Sequence, residues 1–167
     1  MDKKYLDLFN VQEGQLREVL GIALQRGGDY ADLYFEYTVS NELSLRDGEV
    51  NAVSSNIDYG VGIRVVSGDK TGFAFTEQTT LAEMKNAARI AAQIATLPDS
   101  VTNIPAAFTP VKGTNYSPIL SPWEDHTVTE KMGWLTSLNE KVFAKDSRIT
   151  KVLERLTDSN TKILFYN

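Results

Sequence analysis

Cysteine is absent from the 167 residues, and histidine occurs once, at His126. The first absence excludes a disulfide framework and any thiolate metal site. The second excludes an H-E-x-x-H zinc motif, which needs two imidazoles one helical turn apart. Long apolar runs are also missing. Nothing approaches the ~20 residues that a membrane-spanning helix requires. The opening stretch "MDKKYLDLFNVQEGQ" has lysines but no apolar core and no small-residue cleavage site, so it does not read as a secretory signal. No cluster of Lys and Arg stands out in a chain of net charge -5. That argues against a dedicated nucleic-acid surface, which would show a basic stripe. The expected setting is cytoplasmic, with neither a membrane nor a direct nucleic-acid partner.

What is present is globular in character. Hydrophobic residues make up 42% and charged residues 23%, proportions compatible with a buried core. From Val11 to Gln25 the apolar residues Leu16, Val19, Leu20, Ala23 and Leu24 fall at helical spacing, and Gly27-Gly28 stops the pattern. From Asp32 to Arg46 the period changes to two, which predicts a half-buried strand. Asp47-Gly48 is a hairpin signal. The return strand, about Glu49 to Ile57, shifts phase between Val50 and Val53, as a bulge would. A further pair, Val61–Val65 and Phe73–Phe75, turns at Ser67-Gly68-Asp69-Lys70. Four strands in series make a meander.

Thr80 and Glu83 form the ends of a capping box that opens a helix through about Ala95. All five prolines then lie between Pro98 and Pro122, a segment that can be neither helix nor central strand. Thr127 and Glu130 repeat the capping box before a helix to about Ala144, whose inward face is predicted as Met132, Leu135, Leu138 and Val142. Two short strands are expected to follow, Ile149–Leu156 and Lys162–Tyr166, with a turn at Asp158-Ser159-Asn160. The class is α+β: an antiparallel meander packed with helices, then a proline-rich linker, a further helix and a β-hairpin. The expected divisions are 1–97, a linker over 98–125, and 126–167. The apolar "KILFYN" runs to the last residue without turn, cap or polar tail, which reads as a chain cut inside a larger protein.

The residues offer little catalytic chemistry. "GVGIRVVSG" is not G-x-G-x-x-G and opens no helix, so the phosphate-cradling reading fails. Gly48 and Gly68 read as turn residues, and Gly60, Gly62 and Gly72 as a bulge or a place of close packing. His126, in "PWEDHTVTE", precedes a helix cap and reads as an exposed bystander, not a base or a ligand. Glu124-Asp125 and Asp29/Asp32 are the nearest carboxylate groups, and no pair is diagnostic of acid–base work. Tyr30, Tyr34, Phe35 and Tyr37 suit cross-strand packing better than base stacking in an acidic chain. No catalytic and no metal residue is assigned.

Two segments carry a resemblance. "ADLYFE", a strand ending in "LRDGEV", then "NIDYGVGIRVVSGDKTGFAFTE" and the helix "LAEMKNAARIAAQIA" resemble the N-terminal domain of the TldD/PmbA family, closer to its TldD branch. The resemblance implies a zinc metallopeptidase whose H-E-x-x-x-H motif lies in a C-terminal domain absent from this sequence. It implies action on unfolded peptides as a homodimer or with a PmbA-type partner. This chain would then be inactive alone, hold no cofactor, and contribute to dimerisation and to the wall of a peptide chamber. Zinc is expected in the missing domain. The competing expectation is a free-standing interaction module, of the kind also called a modulator of DNA gyrase.

Overall fold

A computed structural model describes residues 3–95 and 116–167. The helices are α1 (Lys3–Leu8), α2 (Glu13–Leu24), α3 (Leu81–Ala95) and α4 (Val128–Phe143). The strands are β1 (Tyr30–Arg46), β2 (Glu49–Ser67), β3 (Lys70–Thr76) and β4 (Leu153–Tyr166). They form one antiparallel sheet in the order β3-β2-β1-β4, so the fold is α+β. Residues 98–115 of the proline-rich segment lie outside the described residues. From 116 to 126 the chain turns, with a short 3-10 helix at Trp123–Asp125.

The meander differs from expectation in its count. β2 is one strand of 19 residues, not two. Gly60 does not break it because its φ of 158° lies at the edge of the extended range, so the chain passes through without turning. The fourth strand is β4, which joins beside β1 from the far end of the sequence. β4 is likewise a single strand and not a hairpin. Asp158 and Ser159 do not turn the chain because β1 supplies partners: Asn41 Nδ2 donates to Asp158 Oδ1 at 2.8 Å, and Ser40 and Ser159 hydroxyls meet at 3.5 Å. Polar side chains with partners can stay in a ladder that their propensity alone would disfavour.

The residues pack as two units, described separately. Unit 1 comprises, among described residues, 3–37, 59–95 and 162–167. Leu16, Val19, Leu20, Ala23 and Leu24 of α2 and the alanine-rich face of α3 cover Leu33, Phe35, Val61, Ile63, Val65, Leu164 and Tyr166. The small side chains of α3 let its backbone come very close to β3. A Cβ placed on Gly72 would lie 1.9 Å from the Ala91 carbonyl oxygen. α1 brings Tyr5 and Leu8, spaced i and i+3, against the core and precedes Phe9, which is fully buried and packs its ring 5.2 Å from that of Phe35.

Unit 2 comprises 38–58 and, among described residues, 116–161. Its apolar centre is small: Leu43, Leu45 and Leu135, with Met132 and Leu156 beside them. Thr127 caps α4 through the predicted box, its hydroxyl accepting from Glu130 N and its N–H donating to the Glu130 carboxylate. The buried stripe of α4 is Lys131, Leu135 and Asn139, one turn apart, while Leu138 is 48% exposed. Across from them Glu154 and Asp158 of β4 are also buried. Lys131 Nζ donates to Asp158 Oδ2 at 2.8 Å, and Asn139 Nδ2 to Glu154 Oε2 at 3.2 Å. The helix turns polar groups inward because fixed partners wait there.

Candidate functional site

β-strand alternation sends every second residue of unit 1 away from its helices. On β3, Gly72 is buried and Ala74 packs against the core, so Phe73 and Phe75 point the other way. They stand opposite Arg64 and Gly62 of β2, and the Phe73 ring lies over Gly62, 2.9 Å from where a Cβ would sit. Tyr34 of β1 and Ile163 and Phe165 of β4 alternate with buried neighbours in the same way. Phe75 is 71% exposed and Phe73 56%. Among the described residues of unit 1, five large apolar side chains share a sheet face that no helix covers, a surface built for contact.

At the middle of this face Asp32 and Arg64 are locked together. Arg64 Nε and Nη2 donate to Asp32 Oδ2 at 2.8 and 2.6 Å, and the Tyr30 ring lies 5.8 Å from the guanidinium carbon. Hydrogen bonding to Asp32 and its charge hold the Arg64 guanidinium above its usual range. The Asp32 carboxylate is therefore committed to Arg64, and the pair fixes β1 against β2 in an otherwise apolar face. Tyr34 has its hydroxyl pushed up by burial and by a hydrogen bond to Glu36. Such a face can grip apolar side chains. It presents no nucleophile with a base beside it.

The other residues singled out from the sequence fall in separate places. Asp29 holds the β2–β3 turn, its Oδ2 accepting from Gly68 N at 2.7 Å, so it does not act with Asp32. Gly68 has φ 55° and Gly48 φ 84°. With Asp47 at φ 54°, both central residues of the β1–β2 turn are left-handed, the type I′ geometry. A Cβ on Gly60 would meet Thr76 O at 2.6 Å. His126 is half-buried in unit 2. Its Nε2 is 2.9 Å from Ser121 Oγ, and its ring stands edge-on to Trp134 at 5.1 Å. Glu124 and Asp125 are exposed. Among the described residues no three His, Asp or Glu side chains are grouped to hold a metal. Sequence reasoning missed Arg64 and Lys131. For Arg64 the available signal was a lone cation within the apolar stretch "GVGIRVVSG", which implies a buried partner; Lys131 directly follows Glu130 and carried no such signal.

Comparison with known proteins bears on this domain. Residues 31–95 match the model of the PmbA/TldA metallopeptidase domain 1. The chain carries the first domain of this family. A Metalloprotease TldD homolog of Haemophilus influenzae is 34% identical over 155 residues, covering 93% of this chain and 32% of that protein. A second TldD homolog, from Buchnera aphidicola of Schizaphis graminum, is 29% identical over 81% of this chain and 28% of its own length. The chain thus spans about a third of the curated relatives it matches. TldE from Thermococcus kodakarensis superposes over 90% of this chain and 34% of its own, with TM-score 0.58 and 15% identity. A Bacteroides thetaiotaomicron protein named for modulation of DNA gyrase covers 92% of this chain and 36% of its own, with TM-score 0.68 and 14% identity. These likenesses speak for a shared fold. The TldD/PmbA domain takes in β2, β3, α3 and all but the first residue of β1, hence Arg64, Phe73 and Phe75. α4, β4 and His126 lie outside it.

Proposed function

We propose that this chain serves as the N-terminal domain of a TldD-type zinc metallopeptidase acting on unfolded peptides. In this reading it is inactive alone. It contributes to dimerisation, with a second copy or a PmbA-type partner, and to the wall of the chamber that receives the peptide. Zinc and the H-E-x-x-x-H motif belong to a C-terminal domain outside these 167 residues. The observation that supports the reading is the bare apolar face of Tyr34, Phe73, Phe75, Ile163 and Phe165, carried largely by the family domain. Unfolded peptides expose apolar side chains in no fixed order. A broad, mainly apolar face whose central ion pair is already committed between Asp32 and Arg64 suits them better than a shaped pocket.

The test has two arms. After dialysis the 167-residue chain is expected to hold no stoichiometric zinc and to leave an unstructured peptide uncut. Its one histidine and lack of cysteine fall short of the three protein ligands a catalytic zinc uses. A polypeptide continued into an H-E-x-x-x-H segment is expected to gain both. Near-equimolar zinc in the short chain, with cleavage lost in His126→Ala, would overturn the reading. So would a longer polypeptide that gains neither.

A further inference from the structure

Helix α4 is inverted. Its buried stripe carries Lys131 and Asn139, while Trp134 and Leu138, one turn apart, are 43% and 48% exposed. Trp123 lies beside Trp134, ring centroids 6.3 Å apart, and is itself 44% exposed. A helix normally hides its apolar stripe; here, among the described residues, the Trp123 and His126 rings stand against Trp134, yet Trp134 and Leu138 stay half open to solvent. Tryptophan so placed is the side chain most often found at the energetic centre of a protein contact.

The charges along the same stripe say what the cover is. At 100° per residue, Glu130, Trp134, Leu138, Lys141 and Lys145 fall on one side of α4 and of the turn that follows it. The acid precedes the apolar pair; the two cations follow it. Glu130, Lys141 and Lys145 are exposed. A second α4 laid antiparallel, with its two-fold axis near Thr136, places Trp134 on the partner's Leu138. It also sets Glu130 beside the partner's Lys141 at both ends of the contact. A parallel arrangement would oppose like charges instead. The stripe is therefore complementary to itself in one orientation only, as an isologous two-fold interface requires.

We infer that α4 is a self-association surface, paired antiparallel with α4 of a second copy of this chain through Trp134 and Leu138. The inference narrows the dimerisation part of the proposed function to one helix, and it does not depend on peptidase activity.

Sedimentation of the full 167-residue chain tests it. A species of twice the 18.6 kDa chain mass is expected, weakening as salt is raised because the flanking pairs are exposed. Trp134→Glu should move the monomer–dimer midpoint at least tenfold higher in concentration, and Lys141→Glu should move it in the same direction. Far-UV circular dichroism melts guard against unfolding, and both positions are solvent-facing. Orientation is read from single cysteines in a chain that has none. Ser137→Cys lies near the axis and should cross-link on oxidation. Lys145→Cys should not, its copies standing roughly 27 Å apart along the helices at 1.5 Å per residue. A chain that stays monomeric, or a dimer indifferent to Trp134→Glu, overturns the inference. Equal cross-linking at both positions overturns the antiparallel pairing. A dimer that survives both substitutions leaves the proposed function standing while this inference fails, so the two are separable.

Discussion

At the scale of single residues, two kinds of glycine can be told apart by what surrounds them. At Gly72 the objection to a side chain is space: the Ala91 carbonyl already occupies the position a methyl would need. Gly72→Ala is expected to cost about 2–4 kcal/mol, the upper range for single substitutions, because backbone must move to admit it. At Gly48 the objection is conformation, with φ at 84°. Gly48→Val should cost about 1–3 kcal/mol. Gly21, inside α2, has nothing within 4 Å of the place a methyl would take, so Gly21→Ala should stabilise by about 0.5–1 kcal/mol. Thermal melts of the three variants give the order directly. Gly72→Ala matching wild type would remove the α3–β3 contact.

Lys131 and Asp158 form the other residue-scale test. Both side chains are nearly fully buried, at 6% and 3% exposure. Burial pushes the Asp158 carboxyl up, but hydrogen bonds from Lys131 and Asn41 outweigh it and hold the group below the usual carboxylate range. Stability from this pair is therefore present above the unfolded carboxylate value, about 3.9. It is lost as pH falls through the lower folded one. Lys131→Met leaves the carboxylate buried without its cation and should cost about 3–5 kcal/mol, whereas Lys131→Met with Asp158→Leu should recover most of it. Denaturant titrations at pH 7 measure both. A double variant as weak as the single one would show that the pair is not the determinant.

At the scale of elements, periodicity carried the helices and the first hairpin, because burial there follows a simple rule. α2, α3 and α4 have apolar or small residues at helical spacing, and Asp47-Gly48 imposes left-handed geometry that few other dipeptides accept. The losses have physical causes. Gly60 and the Asp158-Ser159-Asn160 run look like breaks because propensity is read one strand at a time. Gly60 stays in its strand because its φ is near-extended; what keeps the Asp158 run in the ladder is a partner far away in sequence, as with Thr38 and Thr161, whose hydroxyls lie 2.9 Å apart. The inward face of α4 is hidden from periodicity for a similar reason. Leu138 scores as core, and only the presence of Asp158 and Glu154 explains why Lys131 and Asn139 turn inward instead. The bare sheet face was half legible: the alternation of Phe73 and Phe75 was visible, but which side the helices covered was not. In a polypeptide that cleaves peptides, Phe75→Ser should lower kcat/KM for an unstructured peptide several-fold with zinc content unchanged. Parallel loss of zinc would point to misfolding.

At the scale of the whole molecule, charge sets the expectation for nucleic acid. A net charge of -5 supplies few phosphate contacts, so binding to duplex DNA should be weak, with a shallow dependence on salt. Anisotropy titration at physiological salt is the measurement. Sub-micromolar affinity would show a basic surface that the charge balance does not suggest. Among the described residues no helix is long and apolar enough to cross a membrane.

The pairing of β4 with β1 has a consequence in time. Thr38 and Thr161 are 123 residues apart in sequence, and Asn41 meets Asp158 across 117. β1, β2 and β3 can zip from local turns, but β1 must wait for β4, Leu153–Tyr166, before its second edge is covered. Closing so long a loop carries an entropic cost that local hairpins avoid, and sheets built on distant pairs fold slowly, over milliseconds to seconds. During synthesis, then, β1 emerges early and stays an open edge until β4 leaves the ribosome. An open edge of 17 residues is a template for another chain. Chains ended before Leu153 should therefore collect in aggregates, and stopped-flow refolding of the intact chain should show a slow phase that Asp158→Ala lengthens.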